Sequence, residues 1–110
     1  MKIEKSLNLV PVKKPHSINP VLQRRTRLIK GINRQVLLLR KYQNGEKTNR
    51  PWFWRNEEGK IYLQIKYGKT PLELSKGKFS IECSSIDDIE TNLDIVESLV
   101  CIGEFDSHLE

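Results

Sequence analysis

The sequence predicts an α+β protein that has a long N-terminal amphipathic helix, a four-stranded antiparallel meander and a C-terminal helix. Apolar residues recur at helical spacing in residues 20–42 and 85–102, and they alternate with polar residues in between. A chain of 110 residues has the size of one small domain. We therefore expect an extended arm over residues 1–18 and a single α+β domain over residues 19–110.

The expected arm contains Pro11 and Pro15, each of which would interrupt a helix. Its apolar residues leave open whether it is free or adds one strand to the body. The N-terminus lacks a secretory apolar region with a small-residue cleavage site, and no apolar run approaches the ~20 residues that span a bilayer. These features favour a cytoplasmic protein with no membrane partner.

The first helix is predicted to begin at Asn19-Pro20, because an N-cap side chain precedes a proline at the first helical position. Gly31 lies inside this helix and costs about 1 kcal/mol in helix propensity. On a helical wheel the basic residues face away from an apolar side that should be buried. The apolar side comprises Val21, Leu22, Leu28, Ile29, Ile32, Val36 and Leu39.

The polar residues 43–51 end this helix and lead into four short runs of strand character. The first run, residues 52–55, would place its two tryptophans on one face and Phe53 on the other. Residues 60–67 alternate between apolar and polar, and Lys76-Gly77 signals a hairpin, as in a meander with one buried face. The apolar row of that face comprises Ile61, Leu63, Ile65, Tyr67, Leu72, Leu74, Phe79, Ile81 and Cys83.

The second helix is predicted to begin after Ser84 or Ser85. Two aspartates fall in its first turn, where carboxylates interact favourably with the helix dipole. Gly103 is suited to end the helix, because glycine readily adopts the left-handed conformation found there. Five residues share one helical face and should be buried: Ile86, Ile89, Leu93, Val96 and Val100.

Charge is distributed unevenly along the chain, whose net charge is +5. Residues 1–50 hold thirteen Lys or Arg and two Glu, whereas residues 80–110 hold nine Asp or Glu and no Lys or Arg. No acidic residue lies between Lys5 and Gly45, although a solvated helix face usually mixes both signs. Three interpretations stay open for the basic helix: an acidic partner, a solvated face, or pairing with the acidic C-terminal helix.

Residues suited to catalysis or metal binding are few and scattered. His16 lies in the proline-flanked arm and His108 lies near the C-terminus, so neither is expected to act as a base or a metal ligand. Cys83 falls in an apolar strand row and should be buried, while Cys101 is late in the second helix. Two unbonded thiols fit a reducing compartment, and no phosphate-loop motif is present. We expect no enzymatic activity, no metal site and no cofactor.

Nucleic acid is the acidic partner that the basic helix suits best, because Lys and Arg on one helical face can neutralise several phosphates. The PWFW stretch lies between two arginines, and its tryptophans could stack on bases or fill the core. The candidate nucleic-acid-binding residues are Arg24, Arg27, Lys30, Arg34, Lys41, Arg50, Arg55, Trp52 and Trp54.

Three stretches of the chain resemble a domain-of-unknown-function family of small phage and prophage proteins. They are NPVLQRR..LI in the first helix, WFW...GK..L.IKYG...LEL.KGK..IE through the strands, and GEFD near the end, and they span about residues 7–108. The linker at residues 43–50 is short for that pattern. The resemblance implies a phage or mobile-element origin, hence a bacterial host cell, and carries over no catalytic residue. The order of strands and helix is also similar to the transcriptional-coactivator type of single-strand-binding fold, a likeness of architecture alone.

Two functional hypotheses follow. The leading one is a small phage-type protein that binds nucleic acid through its basic helix. The alternative is a phage-encoded, anti-CRISPR-like inhibitor of a host defence system. Such an inhibitor would bind a host nucleic-acid-binding protein complex, with the acidic C-terminal helix as a nucleic-acid mimic. The choice between DNA and RNA, and a homo-oligomeric state, are left open.

Overall fold

A computed structural model describes residues 7–12 and 19–110. The fold is α+β, with an N-terminal helix, a small antiparallel sheet and a C-terminal helix, as predicted. Residues 7–12 contain no helix or strand, and the rest of the predicted arm lies outside the described residues. No helix in the described part of the chain is both long and apolar enough to cross a membrane. The elements are α1 (Pro20–Gln43), β1 (Phe53–Arg55), β2 (Ile61–Gln64), β3 (Lys66–Tyr67), β4 (Thr70–Pro71), β5 (Ser80–Cys83), α2 (Ile86–Cys101) and a 3-10 turn (Asp106–His108).

The strands differ from the predicted four-stranded meander. β1, β2 and β5 form one antiparallel sheet in that order, while β3 and β4 form a separate two-stranded hairpin. The hairpin separates because Gly68, at φ 65°, turns the chain at once and pairs β3 with β4 alone. The predicted turn at Lys76-Gly77 yields only an isolated bridge between Ser75 and Lys78. The hairpin is therefore an insertion between two strands of the main sheet.

Helix α1 begins as expected, with the Asn19 side chain accepting a hydrogen bond from the Val21 N–H at 2.9 Å. Its buried face is centred on Leu28, Ile32 and Leu39. The prediction that Leu22 is buried is wrong, since 49% of that residue is exposed. The buried positions of α1 begin at Leu28, and Leu22 lies in the turns before it. The other members of the predicted apolar side, Val21, Ile29 and Val36, are half-buried.

Helix α2 is bounded by the two signals that predict it. Ser85 caps the start by accepting a hydrogen bond from the Asp88 N–H at 3.2 Å. At the end, Gly103 adopts φ 90°, and its N–H donates to the Val100 carbonyl while the Glu104 N–H donates to the Leu99 carbonyl. The face predicted for the core is confirmed: Ile89, Leu93, Val96 and Val100 are buried and Ile86 is half-buried.

The core lies between the two helices and one face of the sheet. Ile61, Leu63 and Cys83 contribute from the strands, and Ile65 and Leu72 contribute from the hairpin side. Three predicted members of the apolar strand row, Tyr67, Leu74 and Ile81, are only partly buried. The prediction for Phe79 is wrong, because it precedes β5 and is 46% exposed.

The tryptophan pair is split rather than shared by one face. Trp52 precedes β1 and turns into the core, and Phe53 is buried beside it. Trp54 is 39% exposed on the outer face of the sheet. The alternation expected for residues 52–55 fails because the strand begins one residue later, and the backbone before it follows the surface of α1.

Candidate nucleic-acid interface

A cleft of about 500 Å³ lies between α1 and the β3–β4 hairpin; we call it the basic cleft. Among the residues that the structure describes, its walls carry five cationic side chains and no carboxylate. The cations come from three separate parts of the chain: α1, the loop before β1, and the hairpin. The cationic residues are Arg27, Arg34, Arg50, Lys66 and Lys69. The rest of the lining is Leu28, Gly31, Gln35, Trp52, Tyr67 and Gly68.

The floor of the basic cleft is built by close contact between α1 and Trp52. Gly31 lies one helical turn after Arg27 and about one turn before Arg34, so it shares their face. A Cβ atom at Gly31 would lie 3.0 Å from Cη2 and 3.2 Å from Cζ2 of Trp52. The buried Gln35 side chain accepts a hydrogen bond from the Trp52 N–H at 2.8 Å. Because Gly31 has no side chain, the Trp52 indole can lie directly against the helix. The hydrogen bond to Gln35 holds the Trp52 backbone in this position.

The hairpin holds Arg27 at one wall of the basic cleft. The Arg27 guanidinium carbon lies 4.9 Å from the centre of the Tyr67 ring, a distance suited to a cation–π interaction. The tight turn at Gly68 brings the backbone close, since a Cβ there would lie 3.3 Å from an Arg27 guanidinium nitrogen. Arg27 is thus restrained by an aromatic ring, and the contact does not neutralise its charge.

Arg50 enters the basic cleft from an uncommon backbone conformation. Its φ is 55°, and it is the one non-glycine residue with positive φ in the described part of the chain. The left-handed region is unfavourable for a residue with a Cβ, at roughly 1–2 kcal/mol. Strained backbone of this kind concentrates at functional sites, where the surrounding structure holds it in place. Here the strained residue is one of the five cations.

Some basic residues of α1 form ion pairs with carboxylates of the α2 region, and others line the basic cleft. Arg25 forms two hydrogen bonds to Asp106, at 2.6 and 2.8 Å, and Arg40 lies 3.5 Å from Glu90. Both face α2 and its C-terminal extension, so the internal pairing considered for the two helices is present through these residues. The hydrogen bonds from Arg25 lower the pKa of the Asp106 carboxyl and keep it ionised. None of the five cleft cations forms an ion pair with a carboxylate within residues 7–12 and 19–110.

Four of the nine candidate binding residues meet in the basic cleft: Arg27, Arg34, Arg50 and Trp52. Lys41 lies in an adjoining groove of about 520 Å³, which shares Arg34 with the basic cleft and also contains Arg40 and Lys47. Lys30 lies in a shallower groove with Arg27, at the N-terminal end of α1.

The remaining candidates lie elsewhere. Arg24 is half-buried, and its charge also lowers the pKa of Asp106, which places it toward the α2 side. Arg55 and Trp54 are exposed on β1. Two cleft cations, Lys66 and Lys69, are missing from the candidates. The signal that could have identified them is the KYGK sequence, in which a turn puts two lysines on either side of a tyrosine.

No family model, curated protein or solved structure matches this chain. The resemblance to small phage and prophage proteins stays a prediction, and function must be inferred from the geometry of the basic cleft.

Proposed function

We propose that the protein binds nucleic acid by holding the phosphate backbone in the basic cleft. The observation that carries this proposal is the convergence of five cations from three segments on one concave surface, without a carboxylate in its lining. A solvated helix face would explain Arg27 and Arg34, because both lie on α1. It would not explain why Arg50, Lys66 and Lys69 are brought to the same place.

The physical basis of such binding is the release of counterions from the phosphates. Each phosphate that the protein neutralises makes the slope of log affinity against log salt steeper, by ~0.7 for single strands and ~0.9 for B-form duplex. Arginine can also bind a phosphate through two parallel hydrogen bonds. The adjoining groove with Lys41 and Lys47 extends the positive surface along α1. A bound strand could therefore contact more phosphates than the basic cleft alone accommodates.

A charge-neutralising variant tests the proposal. Arg34→Gln with Lys69→Gln removes two cleft cations from different segments and leaves the Arg27–Tyr67 contact in place. The matched control is Lys76→Gln with Lys78→Gln, which removes the same charge from an exposed loop outside the cleft lining. Binding to labelled oligonucleotides is measured at several salt concentrations.

The cleft variant should weaken binding and reduce the salt slope by roughly 1.4–1.8, as expected for two lost phosphate contacts. The control should change the slope much less. Equal effects of both variants would show that net charge alone drives binding and would refute a cleft-specific site. No binding by the folded wild-type protein at low salt would refute the proposal as a whole.

Arg50 permits a test in which stability and binding respond differently. Arg50→Gly removes a cation but relieves the strain of a positive φ. We expect this variant to unfold at an equal or higher denaturant concentration than wild type while it binds nucleic acid more weakly. A residue whose role is structural would show the two effects in the same direction.

The alternative proposal is a host-defence inhibitor that uses the acidic C-terminal region as a nucleic-acid mimic. Four of the nine carboxylates in residues 80–110 already contact residues outside that region, which leaves fewer for a partner. These four are Glu82, Asp87, Glu90 and Asp106, while Asp88 accepts a hydrogen bond from the nearby Ser84 N–H. In the described part of the chain, the five cleft cations form no ion pair with a carboxylate, and this contrast favours nucleic acid over mimicry.

A further inference from the structure

An aromatic pair lies on the outer face of the main sheet, where Trp54 is exposed and Tyr62 is half-buried. Trp54 on β1 lies directly opposite Tyr62 on β2, with ring centroids 5.6 Å apart and planes inclined by 30°. Trp54 is 39% exposed, whereas Trp52 and Phe53 next to it are at most 8% exposed. The core therefore accounts for two of the three aromatic residues in this run, and the third faces outward with a tyrosine beside it.

The aromatic pair is close to the basic cleft along the chain. Tyr62 and Gln64 alternate with the buried Leu63 on the outer face of β2, and Lys66 follows two residues later in the hairpin strand β3. Lys66 is a cation of the basic cleft. The four residues from Tyr62 to Lys66 span at most roughly 13 Å of backbone, at ~3.3 Å per extended residue. The same polymer could therefore contact both places.

The polar character of the outer face argues against an apolar protein partner. Gln64 and Ser80 are paired across β2 and β5, and Glu82 lies opposite Tyr62 on its other side. The Glu82 carboxylate is 3.9 Å from the Lys60 ammonium group, so it would repel phosphates at the β5 edge only in part. The surface thus combines one aromatic platform with polar neighbours and a nearby cluster of cations. Proteins that bind single strands use this combination of stacking side chains and positive charge.

We propose that the ligand of the basic cleft is single-stranded nucleic acid, and that the Trp54–Tyr62 pair stacks on its bases. This inference rests on the proposed function. An unpaired base can place its ring face on the indole, whereas the bases of a duplex are already stacked on one another. Phosphates would lie in the basic cleft while bases a short distance along the strand reach the sheet.

The test compares three proteins with the same single-stranded and duplex probes. The single-stranded probe is a thymidine oligonucleotide of roughly 12 nucleotides, within the ~4–16 nucleotides that small single-strand-binding domains cover. The duplex probe has the same length. Trp54→Leu keeps an apolar side chain but removes the stacking ring, and Trp54→Phe retains a smaller ring. Thermal unfolding checks that each variant is folded.

Trp54→Leu should weaken binding of the single strand about 5- to 150-fold, the equivalent of ~1–3 kcal/mol per stacked base. Its salt slope should equal that of wild type, because the phosphate contacts remain. Trp54→Phe should lose less affinity than Trp54→Leu, and binding of the duplex should be weaker than that of the single strand and insensitive to both variants.

The outcomes separate this inference from the proposed function. Unchanged single-strand affinity in a folded Trp54→Leu protein, or equal affinity of wild type for both probes, would overturn the inference. The proposed function would still stand if Arg34→Gln with Lys69→Gln reduces the salt slope. Tryptophan fluorescence gives a second readout, since the bound strand should quench the exposed Trp54, and this quenching should vanish in Trp54→Phe.

Discussion

Replacement of Gly31 by alanine sets helix propensity against packing. Alanine in the middle of a helix is favoured over glycine by about 1 kcal/mol, so the sequence alone predicts a more stable protein. In the structure the new Cβ would lie 3.0 Å from Cη2 of Trp52, a ring that is 8% exposed and whose backbone is hydrogen-bonded to Gln35. Overpacking of this kind costs about 1–3 kcal/mol. We therefore expect Gly31→Ala to be neutral or to destabilise the protein by up to about 2 kcal/mol.

A double-mutant cycle with Trp52→Leu isolates the contact. All proteins carry Trp54→Phe, so that Trp52 is the single tryptophan reporter wherever it is present, and stability is measured by chemical denaturation. When the indole is absent, Gly31→Ala should stabilise by about 1 kcal/mol, which gives a coupling energy of ~1–3 kcal/mol between the two positions. Stabilisation by the full helix-propensity gain in both backgrounds would refute the close contact between Gly31 and Trp52.

Three further predictions concern the core, the α1–α2 ion pair and the thiols. Ile32 has no exposed surface, so Ile32→Ala should lower the free energy of unfolding by ~2–4 kcal/mol. The control Leu22→Ala should change the free energy of unfolding by less than ~1 kcal/mol, because Leu22 is 49% exposed. Equal changes in the denaturation midpoints of the two variants would contradict the burial of Ile32. The pKa of Asp106 is lowered in the folded protein by its hydrogen bonds from Arg25, so this pair stabilises the fold above the carboxyl's ordinary pKa of 3.8 and the benefit is lost as pH falls through the lower value. Asp106→Asn should accordingly flatten the acid side of the stability profile, and an unchanged profile would contradict the ion pair. Thiol titration should count two free sulfhydryls after denaturation without reductant, with the exposed Cys101 reacting first in the native protein, because burial both shields Cys83 and raises its pKa.

The sequence could predict members of the candidate site only where they lie on the same secondary-structure element. Arg27 and Arg34 can be identified from the helical wheel, because both lie on the side of α1 opposite the apolar face. The KYGK sequence indicates that Lys66 and Lys69 flank one turn, but nothing local indicates that their hairpin folds against that helix. The sequence also cannot separate Arg25 and Arg40 from the cleft cations. Both belong to the same basic segment, yet each contacts a carboxylate of the α2 region.

The sequence by itself determined the two helices, their caps and the presence of an antiparallel sheet. These features depend on local signals, such as Asn19-Pro20, Ser85 and Gly103, whose side chains or backbone freedom act within one turn of the chain. Only the tertiary structure decided which strands pair. The segment that follows β2 and the more distant β5 are both possible partners for β2, and the local sequence does not distinguish between them. Tertiary packing also decided which of the two tryptophans is buried. Trp52 is buried because α1 leaves space for its ring at Gly31, a contact between residues far apart in sequence, while Trp54 lies on the other face of the sheet and is 39% exposed.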